Sequence, residues 1–112
     1  AILSGDVMYS KAYEYLLQSD TKKMPALVKT MTSVLVQVCE GQAYDMNFEH
    51  RSDITQKEYI TMISLKTAVL LAACLKMGAI VAGADKKSMN ALSEFGLYLG
   101  IAFQLQDDIL DC

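Results

Sequence analysis

These 112 residues contain no tryptophan, one proline (Pro25), one histidine (His50) and three cysteines. Each scarcity excludes something. With a single histidine and no serine or cysteine nucleophile pattern beside it, a hydrolytic triad has no base to build on. Cys39, Cys74 and Cys112 are odd in number and far apart. They give neither zinc-finger spacing nor a disulfide framework, which fits a reducing compartment such as the cytoplasm. Basic charge is also in short supply. Ten Lys and Arg against thirteen Asp and Glu leave a net charge of −3, so no basic stripe is available to follow a nucleic-acid backbone. No secretory signal is visible. The longest apolar run, Thr67 to Ala84, is interrupted by Lys76 and edged by Lys66. A membrane span needs about 20 residues with few or no charges, so this run is expected to be a buried helix without stable membrane insertion.

What is present is apolar content: 53% hydrophobic against 21% charged residues. That balance excludes a disordered chain. The length allows one small domain at most, burying roughly two-thirds of its unfolded surface. The apolar positions follow the helical period, and strand alternation is absent. Four long helices are expected. The first runs from about Ala1 to Gln18, with Met8, Ala12, Tyr15 and Leu16 on one face, and ends at Ser19-Asp20-Thr21. The second begins near Pro25, a residue suited to a first turn. It carries Leu27, Met31, Val34, Leu35 and Val38 and fades near His50. The third opens on Thr55-Gln-Lys-Glu58, the spacing of a capping box. Its stripe is Tyr59, Ile63, Leu70, Cys74, Met77 and Val81, and Gly83 and Asp85 mark its end. The fourth starts near Lys87 or Ser88, runs to the last residue and presents Met89, Leu92, Leu99 and Phe103. Short connections make consecutive helices antiparallel neighbours. The fold class is therefore all-α, an antiparallel helical bundle. The chain lacks an initiator methionine and Cys112 follows no stop signal, so residues 1–112 are expected to be one partial domain of something longer.

The informative feature is where the apolar stripes turn polar. On the second helix the stripe leads to Gln42 and Asp45. On the third, Tyr59 and Ile63 lead to Lys66. On the fourth, Gly96 and Gly100 lead to Gln104, Asp107 and Asp111. Charged groups are rarely buried unless paired or ligating, so three polar sets on inward faces suggest a cavity inside the bundle. Asp107 and Asp111 lie one turn apart, with Asp108 one step round. Three carboxylates in the last turn of a helix repel one another, and the macrodipole disfavours them. A divalent cation relieves both penalties, and all-oxygen ligands suit magnesium, which bridges carboxylates to substrate phosphates. The plainer alternative is a solvated acidic helix end. Lys66 is suited to a phosphate as a point charge, with the Thr67 hydroxyl beside it, although a lysine snorkelling at a helix rim looks the same in sequence. Gln42 and Asp45 alone fit an ordinary polar helix end. Two glycines inside a helix cost about 1 kcal/mol each, which calls for a packing reason at Gly96 and Gly100.

With these residues in view, the sequence resembles the trans-prenyl diphosphate synthases, the polyprenyl synthetase family. Glu40-Gly-Gln-Ala-Tyr-Asp45 is similar to the family's GQxxD, Lys66-Thr67-Ala68 to its KTA, and the stretch from Phe103-Gln104 to Asp107-Asp108-Ile-Leu-Asp111 to its second aspartate-rich motif. Ala1 to Asp6 resembles the segment that follows the first such motif. The resemblance covers essentially the whole chain and implies the central helices of a larger isoprenoid-synthase-type bundle. It implies a transferase that joins isopentenyl diphosphate to an allylic prenyl diphosphate, with Mg2+ as cofactor and a homodimer as the assembly. Asp107 would ligate magnesium, with Asp108 and Asp111 ligating through water or orienting the site. Lys66 would hold the allylic diphosphate, Thr67 and Gln104 would flank the reacting carbon, and Gln42 and Asp45 would line the cavity and its metal side. The first aspartate-rich motif and its arginines do not occur in these residues, so residues 1–112 by themselves are expected to be inactive. A noncatalytic helical subunit acting by packing is the alternative from a different class. A terpene cyclase is a third, disfavoured by the combination of KTA with FQxxDD.

Overall fold

The structure is a computed structural model that describes residues 1–112. Five α-helices and one π-helical turn make up the chain. α1 spans Ile2–Leu16 and α2 spans Met24–Phe48, with Pro25 in its first turn. α3 (Gln56–Ile63) passes into a π-helical turn at Ser64–Ala68 and then into α4 (Val69–Ala82) without a break. α5 spans Lys86–Leu110. The expected third helix is thus one continuous rod, Gln56–Ala82, with a widened turn inside it.

The punctuation follows local chemistry. Thr55 and Glu58 form a complete capping box: the Thr55 side chain accepts from the Glu58 backbone N–H, and the Glu58 carboxylate accepts from the Thr55 backbone N–H at 2.8 Å. Arg51 Nη1 donates to the same carboxylate at 3.0 Å. These contacts hold the Glu58 pKa below its ordinary value, the Thr55 backbone N–H contributing most. At the other end, Gly83 adopts φ 72°, the left-handed conformation that suits glycine. The Ala84 N–H then reaches Ala79 and the Gly83 N–H reaches Ile80, the paired bonds of a Schellman stop. Lys23 Nζ donates to the Val81 carbonyl at 2.5 Å, bringing a cation to the negative end of α4. Asp85 caps α5 through the Ser88 N–H.

The helices lie in a row in chain order. α1 contacts only α2, and the rod α3–π–α4 separates α2 from α5. The result is flattened, with extents of 48 × 36 × 21 Å. Its accessible surface is 7921 Å², against roughly 6,100 Å² for a compact monomer of this mass. Only eleven residues are buried, and they mark the two seams along the central rod. Leu27, Val34 and Gly41 form the α2 seam at seven-residue intervals. Gly96 and Gly100 form the α5 seam. The rod contributes Met62, Ile63, Ala68, Ala72, Ala73 and Ala79.

These seams correct three sequence expectations. The third-helix stripe holds at Ile63 and fails beyond it: Leu70 and Val81 are 41% and 50% exposed, and Cys74 is exposed. The π turn explains this. It adds one residue to a turn, so the buried line steps five from Ile63 to Ala68 before resuming at Ala72 and Ala79. On α5 the side buried against the rod is the glycine side, and Leu92, Leu99 and Phe103 are exposed. α1 buries nothing, because α2 is its only neighbour. The run from Thr67 to Ala84 is accordingly buried along its seams only. The rod is long and apolar enough to cross a membrane by length and composition, with 22% of its most apolar window buried.

The glycines set the spacing. A Cβ at Gly41 would fall under 3.0 Å from the Lys66 N and Leu65 carbonyl carbon, and one at Gly100 under 3.0 Å from the Ala68 Cα and Cβ. At Gly96 the nearest atom would be the Ala72 Cα at 2.8 Å. Most of these neighbours are backbone, which cannot rotate away. By contrast, a Cβ at Gly78 would meet nothing within 4 Å. Gly78→Ala should therefore stabilise by up to about 1 kcal/mol through helix propensity. Gly100→Ala should destabilise by about 2 kcal/mol despite the same propensity gain, because overpacking dominates. Urea melts of the two variants check the opposite signs. A second expectation concerns acid. A carboxylate held below its ordinary pKa contributes stability above its unfolded value, and that stability is lost as pH falls through the folded value. Glu58→Gln keeps an acceptor in the capping box but cannot titrate. Its melting temperature should fall less than that of the wild type between about pH 5 and pH 3, as followed by circular dichroism.

Candidate functional site

The π turn sits where the two seams meet, pressed by Gly41 on one side and Gly100 on the other. Its successive residues serve different neighbours. Lys66 reaches back to α2, where Nζ donates to Asp45 Oδ2 at 2.6 Å. Thr67 reaches forward to α5, where Oγ1 donates to Gln104 Oε1 at 2.6 Å. Ala68 fills the seam between them. From Gln104 the bonding continues along α5: Nε2 donates to Asp108 Oδ1 at 2.8 Å. The second carboxylate oxygen, Asp108 Oδ2, accepts from the Tyr59 hydroxyl on α3. Burial of the ring and the adjoining Asp108 carboxylate push the Tyr59 phenol up to about 12, so it remains an O–H donor across the neutral range.

The structure thus brings together Lys66 with Asp45, and Thr67 with Gln104 and Asp108. Each is partly buried. Asp107 and Asp111 lie on the neighbouring flank of α5, are exposed and make no side-chain hydrogen bond or ion pair. Gln42 is exposed on α2 beside Gly41 and joins no hydrogen bond of the group. The sequence placed Asp108 off the inward line, yet of the three aspartates it is the one tied into the site. The reason is Tyr59, a residue the sequence pattern reads only as apolar. A part-buried tyrosine seeks a partner for its hydroxyl, and that requirement is the signal that could have found it.

No three His, Cys, Asp or Glu side chains converge on one point. The donor chemistry nonetheless suits a hard cation. The Asp107 and Asp111 carboxylates offer oxygen donors only, are exposed and have no cationic partner. Magnesium is commonly held by one or two carboxylates together with waters and substrate phosphate. A cavity of about 870 Å³ lies between α2, α4 and α5 and is lined by Lys29, Thr30, Ser33, Lys76, Ser93 and Glu94 among others. It includes none of the residues of the hydrogen-bonded group, so the chemistry is read from the polar side chains rather than from this void.

An all-helical frame that sets a lysine, a threonine, a glutamine and a row of aspartates around one widened turn has the architecture of an isoprenoid-synthase-type bundle. The polyprenyl synthetase family model matches residues 1–112 in full, and this chain belongs to that family. It is 45% identical to the geranylfarnesyl diphosphate synthase of Natronomonas pharaonis, over 99% of this chain and 33% of that protein. It is also 45% identical to the short chain isoprenyl diphosphate synthase of Methanothermobacter thermautotrophicus, over 99% of this chain and 34% of that protein. Among solved structures, the geranylgeranyl pyrophosphate synthetase of Pyrococcus horikoshii superposes with a TM-score of 0.90 at 41% identity, covering 98% of this chain and 34% of that one. The chain spans about a third of the length of the relatives it matches.

The Lys66–Asp45 pair lends itself to a quantitative check. Both side chains keep about a third of their surface in water (34% and 31%). Solvent therefore screens the pair, and coupling in a Lys66→Ala/Asp45→Ala double-mutant cycle should stay at or below about 1 kcal/mol. Denaturant melts of the four proteins give that number. A value above about 3 kcal/mol would instead mark a dehydrated pair.

Proposed function

We propose that the full-length protein is a trans-prenyl diphosphate synthase that condenses isopentenyl diphosphate with an allylic diphosphate, and that residues 1–112 supply part of its active site. The observation that carries this reading is the pair of hydrogen-bonded groups on one π turn, Lys66 with Asp45 and Thr67 with Gln104 and Asp108. The names of the relatives support it.

In this reaction the carbon–oxygen bond of the allylic substrate breaks and its electron pair leaves with the diphosphate. The double bond of isopentenyl diphosphate forms the new carbon–carbon bond, and the departing diphosphate takes up the proton released. Lys66 binds the allylic diphosphate as a point charge and stabilises the negative charge that develops on it. Before substrate binds, Asp45 holds the Lys66 ammonium. Thr67 and Gln104 place oxygen atoms beside the allylic cation, where negative dipoles aimed at developing positive charge lower the barrier. Gln42 and Asp45 line the same cavity on its metal side. Asp107 and Asp111 would hold magnesium, with Asp108 orienting the group. Bound there, the ion supplies positive charge to the leaving diphosphate. An apolar bundle around the site excludes water, which would otherwise quench the cation.

The same reading makes residues 1–112 a partial domain of a larger bundle in a cytoplasmic homodimer. It also makes them inactive alone, because their aspartates supply only one flank of a diphosphate–metal site. In the full-length protein, Asp107→Ala should lower the rate of magnesium-dependent diphosphate release at least about hundredfold, on the order of 3 kcal/mol in the barrier, with the circular dichroism spectrum retained. Unchanged turnover would remove Asp107 from the metal role. Turnover by residues 1–112 alone would show that the site is complete within them.

A further inference from the structure

We propose that Tyr59 is a positioning residue for the Gln104 amide, acting through Asp108 to turn the Gln104 carbonyl oxygen, rather than its nitrogen, toward Thr67. The proposal rests on the enzymatic reading above for its kinetic consequence, but its structural content stands on the bonding alone.

An ionised carboxylate only accepts, so whatever Gln104 presents to Asp108 must be the N–H2 end. The amide plane then leaves Oε1 on the opposite side, where it meets the Thr67 hydroxyl at 2.6 Å. Thr67 must donate, because Oε1 carries no proton. The chain Tyr59, Asp108, Gln104, Thr67 thus has one direction at its centre: the phenol and the amide both donate to the carboxylate, and the hydroxyl donates to the amide oxygen.

The consequence lies at its far end. The second lone pair of Gln104 Oε1 and the lone pairs of Thr67 Oγ1 meet no other donor, so this side of the site offers oxygen acceptors. With the amide reversed, it would offer N–H groups, whose positive ends would repel a cationic carbon. Tyr59 occupies the carboxylate oxygen that Gln104 does not use, so the carboxylate is held from two sides and on two helices, α3 and α5. Without the phenol, Asp108 is free to rotate on its own helix, and the Gln104 amide loses its fixed acceptor. Tyr59 itself touches neither the diphosphate-binding lysine nor the reacting atoms.

The test uses the full-length protein with 15N-labelled glutamine. The Gln104 side-chain amide is identified by its disappearance in Gln104→Glu. In the wild type it should exchange with solvent at least about tenfold more slowly than the exposed Gln42 side chain. In Tyr59→Phe it should exchange at nearly the Gln42 rate. Steady-state kinetics with isopentenyl diphosphate and an allylic diphosphate form the second arm. Tyr59→Phe should lower kcat about tenfold, with KM for both substrates changed by less than about twofold, since the interaction acts on the cation rather than on diphosphate binding. A general loosening of the site would raise KM as well. A Gln104 amide equally protected with and without the phenol overturns the proposal whatever the activity. An inactive wild type overturns the enzymatic reading, and the exchange measurement still decides the positioning role. Should Tyr59→Phe fail to fold, Asp108→Leu, near in size but without an acceptor, repeats the exchange measurement. Undiminished protection in that variant is equally fatal.

Discussion

The close approach of three backbones at Gly41, the π turn and Gly100 is the constraint on which the rest depends. Neither glycine has room for a single added carbon. Helices normally keep 8–10 Å apart, and these contacts sit where side chains would ordinarily hold them off. Proximity at that level makes the polar arrangement possible. Asp45 on α2 and Gln104 on α5 belong to helices that do not touch each other. Each is within reach of neighbouring residues on the rod only because its own helix has been drawn inward by a glycine four residues away. The cost of glycine in a helix interior, about 1 kcal/mol apiece, is offset by interactions that no larger residue would permit.

The π turn adds a second economy. In an α-helix two seam positions one turn apart enclose three residues, whereas the π turn encloses four between Ile63 and Ala68. With one residue more in the turn, Ile63 and Ala68 both remain in the seam while Lys66 and Thr67 address opposite neighbours. The electrostatics follow this division. One side of the turn carries a cation with its carboxylate. The other carries neutral oxygens backed by a carboxylate one residue removed. Placing the charge pair and the acceptor pair on opposite sides keeps the ammonium from competing for the oxygens.

Much of this was legible in the residues, for identifiable reasons. Caps are local, so Thr55 with Glu58 announced the start of α3, and Gly83 the end of α4. The α2 stripe was read correctly at Leu27 and Val34 because that helix is regular throughout. The polar interruptions at Asp45, Lys66 and Gln104 stood out because they break an otherwise apolar face. Three things were not legible. A phase carried at a constant 100° per residue runs through a π turn unaware of it, which misassigned Leu70, Cys74 and Val81. A glycine seam has no hydropathy, so the α5 stripe was drawn along Leu92, Leu99 and Phe103, the more apolar but exposed side. The arrangement as a row rather than a closed bundle depends on which elements touch, and no local pattern records that. Tyr59 was hidden for a related reason: its ring satisfies the apolar pattern while its hydroxyl does the chemically specific work.

The widened turn also bears on how this stretch of sequence can change over time. Deleting one residue from Ser64–Ala68 would leave Ile63 and Ala68 four positions apart, still on one face of an ordinary α-helix. The seam would survive such an event, and so would the helix. What would vanish is the fourth position between the two seam residues, and with it the present placement of Lys66 and Thr67 toward their separate partners. Length, rather than residue identity alone, is therefore the inherited quantity in this segment. Substitutions here can be graded in their effect, whereas a single-codon deletion would leave a helical scaffold without this hydrogen-bonded arrangement in one step.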